Sequence, residues 1–161
     1  MELPAKDAVF AAIDAELTRQ IAGATSLARA TAESAVHEEA RAEDKHDTRA
    51  TEASYLARGQ AQRVAELELD QATLRSLQKH DFSNGRPIAS SALVALEDED
   101  ENVLVVLLAP AAGGVSVTVD GVKIRVVSPG APLSEALLGK EVDDDVDVPG
   151  RTQEYVVLAV S

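Results

Sequence analysis

The apolar pattern of the first half of this chain reads as a palindrome, and that constrains its fold more than any other feature. Phe10, Ile13, Leu17, Ala24, Leu27, Ala35 and Val36 answer Leu77, Leu74, Leu67, Val64, Leu56 and Tyr55 across a mirror point inside Glu43-Asp44-Lys45-His46-Asp47, at index sums near 91. Two helices folded back on one another near residue 45 produce such sums. From about Pro4 to Glu43 the chain is rich in Ala, Glu and Arg, the composition of a long solvated helix. Apolar or small residues at 10, 13, 17, 21, 24, 28, 31 and 35 recur at threes and fours, the spacing of a heptad seam. Leu56, Gln60, Arg63 or Val64, Leu67, Leu74 and Leu77 form the expected partner seam. Asp47 followed by Thr48 provides cap chemistry for the second helix. A dimeric coiled coil satisfies the same periodicity, but the mirror symmetry favours a hairpin within one chain, and a monomer is expected.

At Asp81-Phe82-Ser83-Asn84-Gly85-Arg86-Pro87 a cluster of helix stoppers marks a boundary, and the period then changes. Residues 91–96, 102–108, 115–119, 122–127, 142–148 and 155–160 are Val- and Leu-rich runs of strand length. Asp120-Gly121 supplies a two-residue hairpin turn, because the positive φ that such a turn needs is cheap at Gly and tolerated at Asp. Pro132–Gly139 carries Leu133, Ala136, Leu137 and Leu138, a short amphipathic helix stopped by Gly139. The expected fold class is therefore α+β: an antiparallel coiled-coil hairpin over 1–80, with an acidic tip near 43–52, then a small antiparallel sheet with one short helix over 81–161.

Charge narrows the function. Residues 1–80 hold 14 acidic and 10 basic side chains, and 81–161 hold 14 and 5, for a net charge of −13. Phosphate backbones repel a surface of that average sign, so autonomous DNA binding is not expected and a protein partner with basic surfaces is. The absence of cysteine removes thiolate chemistry and fits a reducing compartment. No apolar run of spanning length and no basic-then-apolar leader occurs, so the expectation is a cytoplasmic protein with no membrane association. Glu97-Asp98-Glu99-Asp100 and the acidic stretch 143–147 are expected as solvated loops or edge-strand charges. No nucleophile–base–acid set and no phosphate-cradling Gly loop is present, which argues against an enzyme acting alone.

Ser128-Pro129, Pro132-Leu133 and Ala136-Leu137-Leu138-Gly139-Lys140, followed by Asp143–Val148 and the closing strand around Tyr155, resemble the C-terminal domain of the Gre transcript-cleavage factors. The likeness runs over about residues 81–161. It implies an FKBP-like globule that docks on bacterial RNA polymerase, and a coiled coil that enters the secondary channel. There, tip carboxylates share a Mg²⁺ with the polymerase, which hydrolyses the 3′ end of backtracked RNA. On this reading the chain stimulates the polymerase's intrinsic cleavage and binds no cofactor alone. Asp44 and Asp47 are the candidate ligands, since a catalytic Mg²⁺ takes one or two carboxylates and completes its shell with water and phosphate. Glu43, Arg49, Glu52 and Tyr55 are supporting tip residues.

The tip departs from the Gre pattern of Asp-x-x-Glu-Asn-Ala-Glu-Tyr. Anchored on Tyr55, that pattern sets Thr48 and Thr51 where the two acids stand. Asp44-Lys45-His46-Asp47 instead resembles the Asp-x-x-Asp tip of DksA, which implies the alternative of a secondary-channel regulator without cleavage activity. Arg41, Lys45 and Arg49 flank the tip with positive charge and suit helix pairing or an RNA phosphate. A prolyl isomerase is disfavoured, because proline pockets have several aromatic walls and the second half offers only Phe82 and Tyr155. A purely structural coiled-coil adaptor would need no acidic tip.

Overall fold

The computed structural model describes residues 1–41 and 48–161. Contacts group the chain into two compact units, one formed by Met1–Ala15 with Ala72–Ser161 and the other by Glu16–Gln71. Two long helices are present, α1 (Lys6–Arg41) and α2 (Arg49–Ser76). Each carries an acid in its first turn and an arginine in its last, the arrangement that complements the helix dipole. The Val9 N–H donates to the Ala5 carbonyl at 3.1 Å and the Glu52 N–H to that of Thr48 at 2.9 Å, so Ala5 and Thr48 cap the two helices.

Within the unit Glu16–Gln71 the helices run antiparallel. Gln71 donates through Nε2 to Thr18 Oγ1 at 2.8 Å, and the Ser54 hydroxyl donates to Glu39 at 3.4 Å. On α1 the expected seam holds: Leu17 and Ala35 are buried and Ile21, Ala24, Ala28 and Thr31 half-buried. The partner seam needs correction. Leu67 is buried and Gln60 and Val64 are half-buried, but Leu56 is 58% exposed, and Ala50, Ala53, Ser54 and Ala57 occupy the seam instead. Three other members of the apolar palindrome, Leu27, Val36 and Tyr55, are 52%, 66% and 67% exposed. The reason is angular. One residue turns a helix by about 100°, so Leu27, Val36, Tyr55 and Leu56, each one position from a seam residue, lie on its flanks despite their size.

In the other unit, the bases of the helices are joined by Arg75, whose guanidinium donates to both carboxylate oxygens of Asp14 at 2.7 and 3.0 Å, and by Lys79 paired with Asp7. Lys6 donates to the His80 carbonyl at 2.6 Å and stands 4.7 Å from the centroid of the buried Phe82 ring. The His80 N–H donates to the hydroxyl of buried Ser91 at 2.9 Å, which ties the 77–92 segment to the sheet.

Six strands follow: β1 (Leu93–Asp98), β2 (Val103–Leu108), β3 (Ser116–Val119), β4 (Val122–Val127), β5 (Asp145–Asp147) and β6 (Glu154–Val160). They form one sheet in the order β3-β4-β2-β1-β6-β5. The expected strand runs and the short helix α3 (Pro132–Leu137) are all found, but the sheet is mixed rather than antiparallel, because β2 pairs with β4 in parallel. The chain leaving β2 crosses to the outer edge before β3 begins, and the Asp120-Gly121 turn brings it back beside β2 in the same direction. That turn has φ of 51° at Asp120 and 79° at Gly121, the two positive values expected of it, and pairs Val119 with Val122.

One sheet face presents Val94, Leu96, Val106, Leu108, Val127, Tyr155 and Val157 to Leu133 and Leu137 of α3, with Phe82, Ile88 and Val148 completing the core. Pro132 opens α3, where its fixed φ suits the first turn and its missing N–H costs nothing. Gly139, at φ 81°, ends the helix, and its N–H donates to the Ile88 carbonyl while the Ile88 N–H donates to that of Lys140, both at 2.8 Å. The acidic runs lie only partly where expected, since Glu99 and Asp100 are exposed in a turn but Glu97 and Asp98 are half-buried at the end of β1, an inner strand. Asp98 closes the β1–β2 turn by accepting from the Asp100 and Asn102 N–H groups, and Asp145 and Asp147 are exposed on the edge strand β5. No helix among the described residues is long and apolar enough to cross a membrane.

Candidate functional site

Of the tip residues expected from the sequence, Glu43, Asp44 and Asp47 lie outside the described residues. Arg49, Glu52 and Tyr55 are exposed and recur every three residues along the first two turns of α2, so they share one side of that helix. Thr48 and Thr51 are exposed as well. The Arg58 guanidinium lies 5.8 Å from the Tyr55 ring centroid, which holds the ring against its own helix as a cation–π pair. Between Thr48 and Leu56 the sole carboxylate is Glu52, the lower limit of the one or two carboxylates that a Mg²⁺ shared with water and phosphate takes from a protein. Among the described residues no group of three or more His, Cys, Asp or Glu side chains comes together. The described start of α2 therefore supplies one carboxylate and no ligand pair, and Asp44 and Asp47, the ligands expected from the sequence, are not among the described residues.

A second site lies on the sheet unit, and sequence reasoning placed only part of it. A cleft of about 420 Å³ opens between the exposed margin of the α3-bearing sheet face and the segment running into α3; Leu104, Val106, Pro132 and Leu133 give it apolar walls, and Arg125 and Arg151 also line it. Ser128 and Ala131 contribute from the stretch that carries the Gre resemblance. Strand alternation sets Arg125 there. Ile124 and Val126 are buried on one face, so Lys123 and Arg125 project on the other, with Arg125 in register with Val106 of β2 and Ser116 of β3. That alternation was readable in the sequence, whereas Arg151 follows β5 in a loop and carried no local signal. Gly113 also lines the cleft, and a Cβ there would stand 3.0 Å from the Ser128 Cβ, so a larger residue requires the Ser128 side chain to shift.

Among the described residues, the perturbed titratable groups lie away from both the start of α2 and the cleft. Glu16 is held down to about 2 by hydrogen bonds from Arg19 and Gln20. Asp7 is lowered by its hydrogen bond from Lys79, Asp81 by those from Ser83, and Asp98 by those from Asn102. Burial lowers Lys6, with nearby Asp81 opposing. Each of these groups serves a helix base, a turn or a helical ion pair.

The chain has structural likenesses at low identity. It is 20% identical to the GreA factor homolog 1 (Gfh1) protein of Thermus thermophilus over 92% of this chain and 94% of that one, at a TM-score of 0.38. A structure of the transcription factor Gfh1 is 23% identical over 92% and 93% of the two chains, with a TM-score of 0.39. Gfh1 of Thermus aquaticus is 22% identical over 90% and 91%, with a TM-score of 0.38. No family model and no curated protein sequence matches the chain.

Proposed function

We propose that this chain is a bacterial transcription factor that binds RNA polymerase through its sheet unit, passes its helical hairpin into the secondary channel, and modulates transcription there without stimulating RNA cleavage. The observation that carries this reading is the Ser128–Lys140 stretch, whose Gre-like residues do structural work: Pro132 opens α3, Leu133 and Leu137 enter the core, and Gly139 ends the turn. The order of elements, a helical hairpin and then a sheet with one helix, suits the same reading. Against cleavage stand Thr48 and Thr51, neutral hydroxyls at the positions where the Gre pattern has its acids. In this proposal residues 81–161 act as an FKBP-like docking domain, residues 1–80 as the inserted rod, and the protein works as a cytoplasmic monomer.

The second reading keeps cleavage. In it, Asp44 and Asp47 hold a Mg²⁺ jointly with the polymerase beside the RNA 3′ end, supported by Glu43, Arg49, Glu52 and Tyr55. One experiment separates the two. Stalled, backtracked complexes carrying 3′-labelled RNA are incubated with Mg²⁺ and either the wild-type chain or its Asp44→Ala/Asp47→Ala variant, and open-complex lifetime is measured in parallel. The proposal expects altered open-complex lifetime with RNA left intact. Cleavage that the double variant loses would establish the second reading, and no binding to core polymerase at micromolar concentration would end both.

A further inference from the structure

Residues 81–161 contain five cationic side chains against 14 acidic ones, and two of the five, Arg125 and Arg151, line one cleft. Several other cations among the described residues are engaged. Lys6 donates to a carbonyl and Arg19, Arg63, Arg75 and Lys79 pair with acids, while Arg58 and Arg86 lie beside aromatic rings. Neither the Arg125 nor the Arg151 guanidinium has an ion pair or a side-chain hydrogen bond among the described residues. Two like charges lining one cleft, in a unit with a large excess of acids available to neutralise them, are an arrangement that a bound anion stabilises.

We infer that this cleft binds a carboxylate-bearing apolar segment of a protein partner, with a Glu or Asp side chain on Arg125 and Arg151 and a neighbouring aliphatic side chain between Leu104, Val106, Pro132 and Leu133. Guanidinium groups present paired N–H donors that match a carboxylate, and the apolar walls select the side chain next to it. Nucleic acid fits less well, because it brings a charge with every phosphate against the net −9 of residues 81–161, whereas a single carboxylate sets its one charge on the two arginines. Exposed acids of the chain itself then act against wrong partners, and the two arginines define the one register in which an acidic segment is accepted.

The inference rests on the reading that the sheet unit docks a protein, and its test separates the two claims. The full-length chain, labelled with ¹⁵N, is titrated with Ac-Leu-Glu-Glu-Leu-amide, with Ac-Leu-Gln-Gln-Leu-amide, with inorganic phosphate and with a short single-stranded RNA, following the arginine Nε–Hε and backbone amide signals. The Glu peptide is expected to move Arg125, Arg151, Gly113 and Gly114, at least about threefold further than the Gln peptide or phosphate. Arg125→Gln and Arg151→Gln are expected to lose that response, while Arg151→Lys retains part of it and Lys123→Gln all of it. Equal shifts from the Glu and Gln peptides, equal shifts from phosphate or RNA, or no response at the four residues would overturn the inference. Binding to core polymerase is measured on the same variants. Wild-type binding weakened about fivefold or more in Arg125→Gln/Arg151→Gln, with a shallower salt dependence, supports the cleft as the docking contact. Unchanged binding in that variant overturns it while leaving the polymerase reading intact. If the wild type itself fails to bind, the polymerase reading falls and the peptide titration alone decides the inference.

Discussion

The two compact units are stabilised in different ways. Among the described residues of Glu16–Gln71 the buried side chains are few, Leu17, Ala35, Leu67 and Gln71, and the rest of the seam is half-covered and, toward Ala28 and Ala57, small. Around the sheet, by contrast, Val94, Leu96, Leu107, Ile124, Leu137 and Val157 are among many side chains excluded from water. The first unit depends on hydrogen bonds local to each helix and on a narrow seam, and the second on long-range interlocking of strands with α3. Deleting a methylene should therefore be costly in the sheet and cheap over most of the helical pair. Leu96→Ala opens a cavity in the sheet core and is expected to lower unfolding stability by about 2–5 kcal/mol in urea titrations. A loss below about 1 kcal/mol would mean that the core relaxes and the contrast fails.

Backbone crowding gives the next effect. Gly113→Ala sets a methyl against Ser128, and the clash is expected to cost about 1–3 kcal/mol by thermal or urea unfolding. Adding Ser128→Gly removes the opposing side chain and should recover most of that loss. If the double variant is no better than the single one, the strain lies elsewhere in the 109–115 crossover.

Much of this contrast was legible in the sequence, and what was missed has definite physical reasons. Strand positions, the Asp120-Gly121 turn and α3 are encoded by local signals, namely alternation, turn chemistry and a Pro–Gly bracket, and all of them appear. The parallel β2–β4 pairing is not local, since it depends on which strand of a hairpin turns inward. On the helices, the α1 seam was readable because its period continues without interruption from 10 to 35. The α2 seam was misread near its start because large residues were preferred over correctly phased small ones, and Ala53 and Ala57 hold the angle that Leu56 does not. At the candidate sites, Ser128–Leu133 could be seen as a stretch and Arg125 followed from alternation, but only the tertiary fold brings Arg151 to them.

Polar contacts sharpen the comparison at smaller magnitude. Thr18→Val keeps the side-chain shape but removes an acceptor of the Gln71 amide, and because Thr18 is exposed and water can take its place, the expected cost is about 0.5–1 kcal/mol. Gln71→Leu in the same background should restore part of the loss. The sheet unit has a titrating counterpart in Asp98, whose pKa is lowered chiefly by its hydrogen bond from the Asn102 N–H. A depressed pKa contributes stability above the unfolded value of 3.8, and that contribution is lost as pH falls through the folded value. Asp98→Asn should therefore unfold at lower urea than wild type at pH 7, and the two should converge as pH falls below 3.8. A gap that stays constant to pH 2 would assign the difference to turn geometry rather than charge.

The smallest effect is the most diagnostic for the helical unit. Leu56 and Leu67 are both α2 leucines, yet Leu56 is 58% exposed and Leu67 is buried. If phase decides the seam, Leu67→Ala should cost about 2 kcal/mol or more, whereas Leu56→Ala should change stability by no more than about 0.5 kcal/mol. Tyr55→Ser should also fall within that range, because the Arg58 contact it removes is exposed. A large loss from Leu56→Ala would mean that the leucine is covered in solution, either by a rotated α2 or by a second copy of the chain. Those two cases separate by protein concentration: a rotation leaves the loss unchanged on dilution, and association makes it disappear.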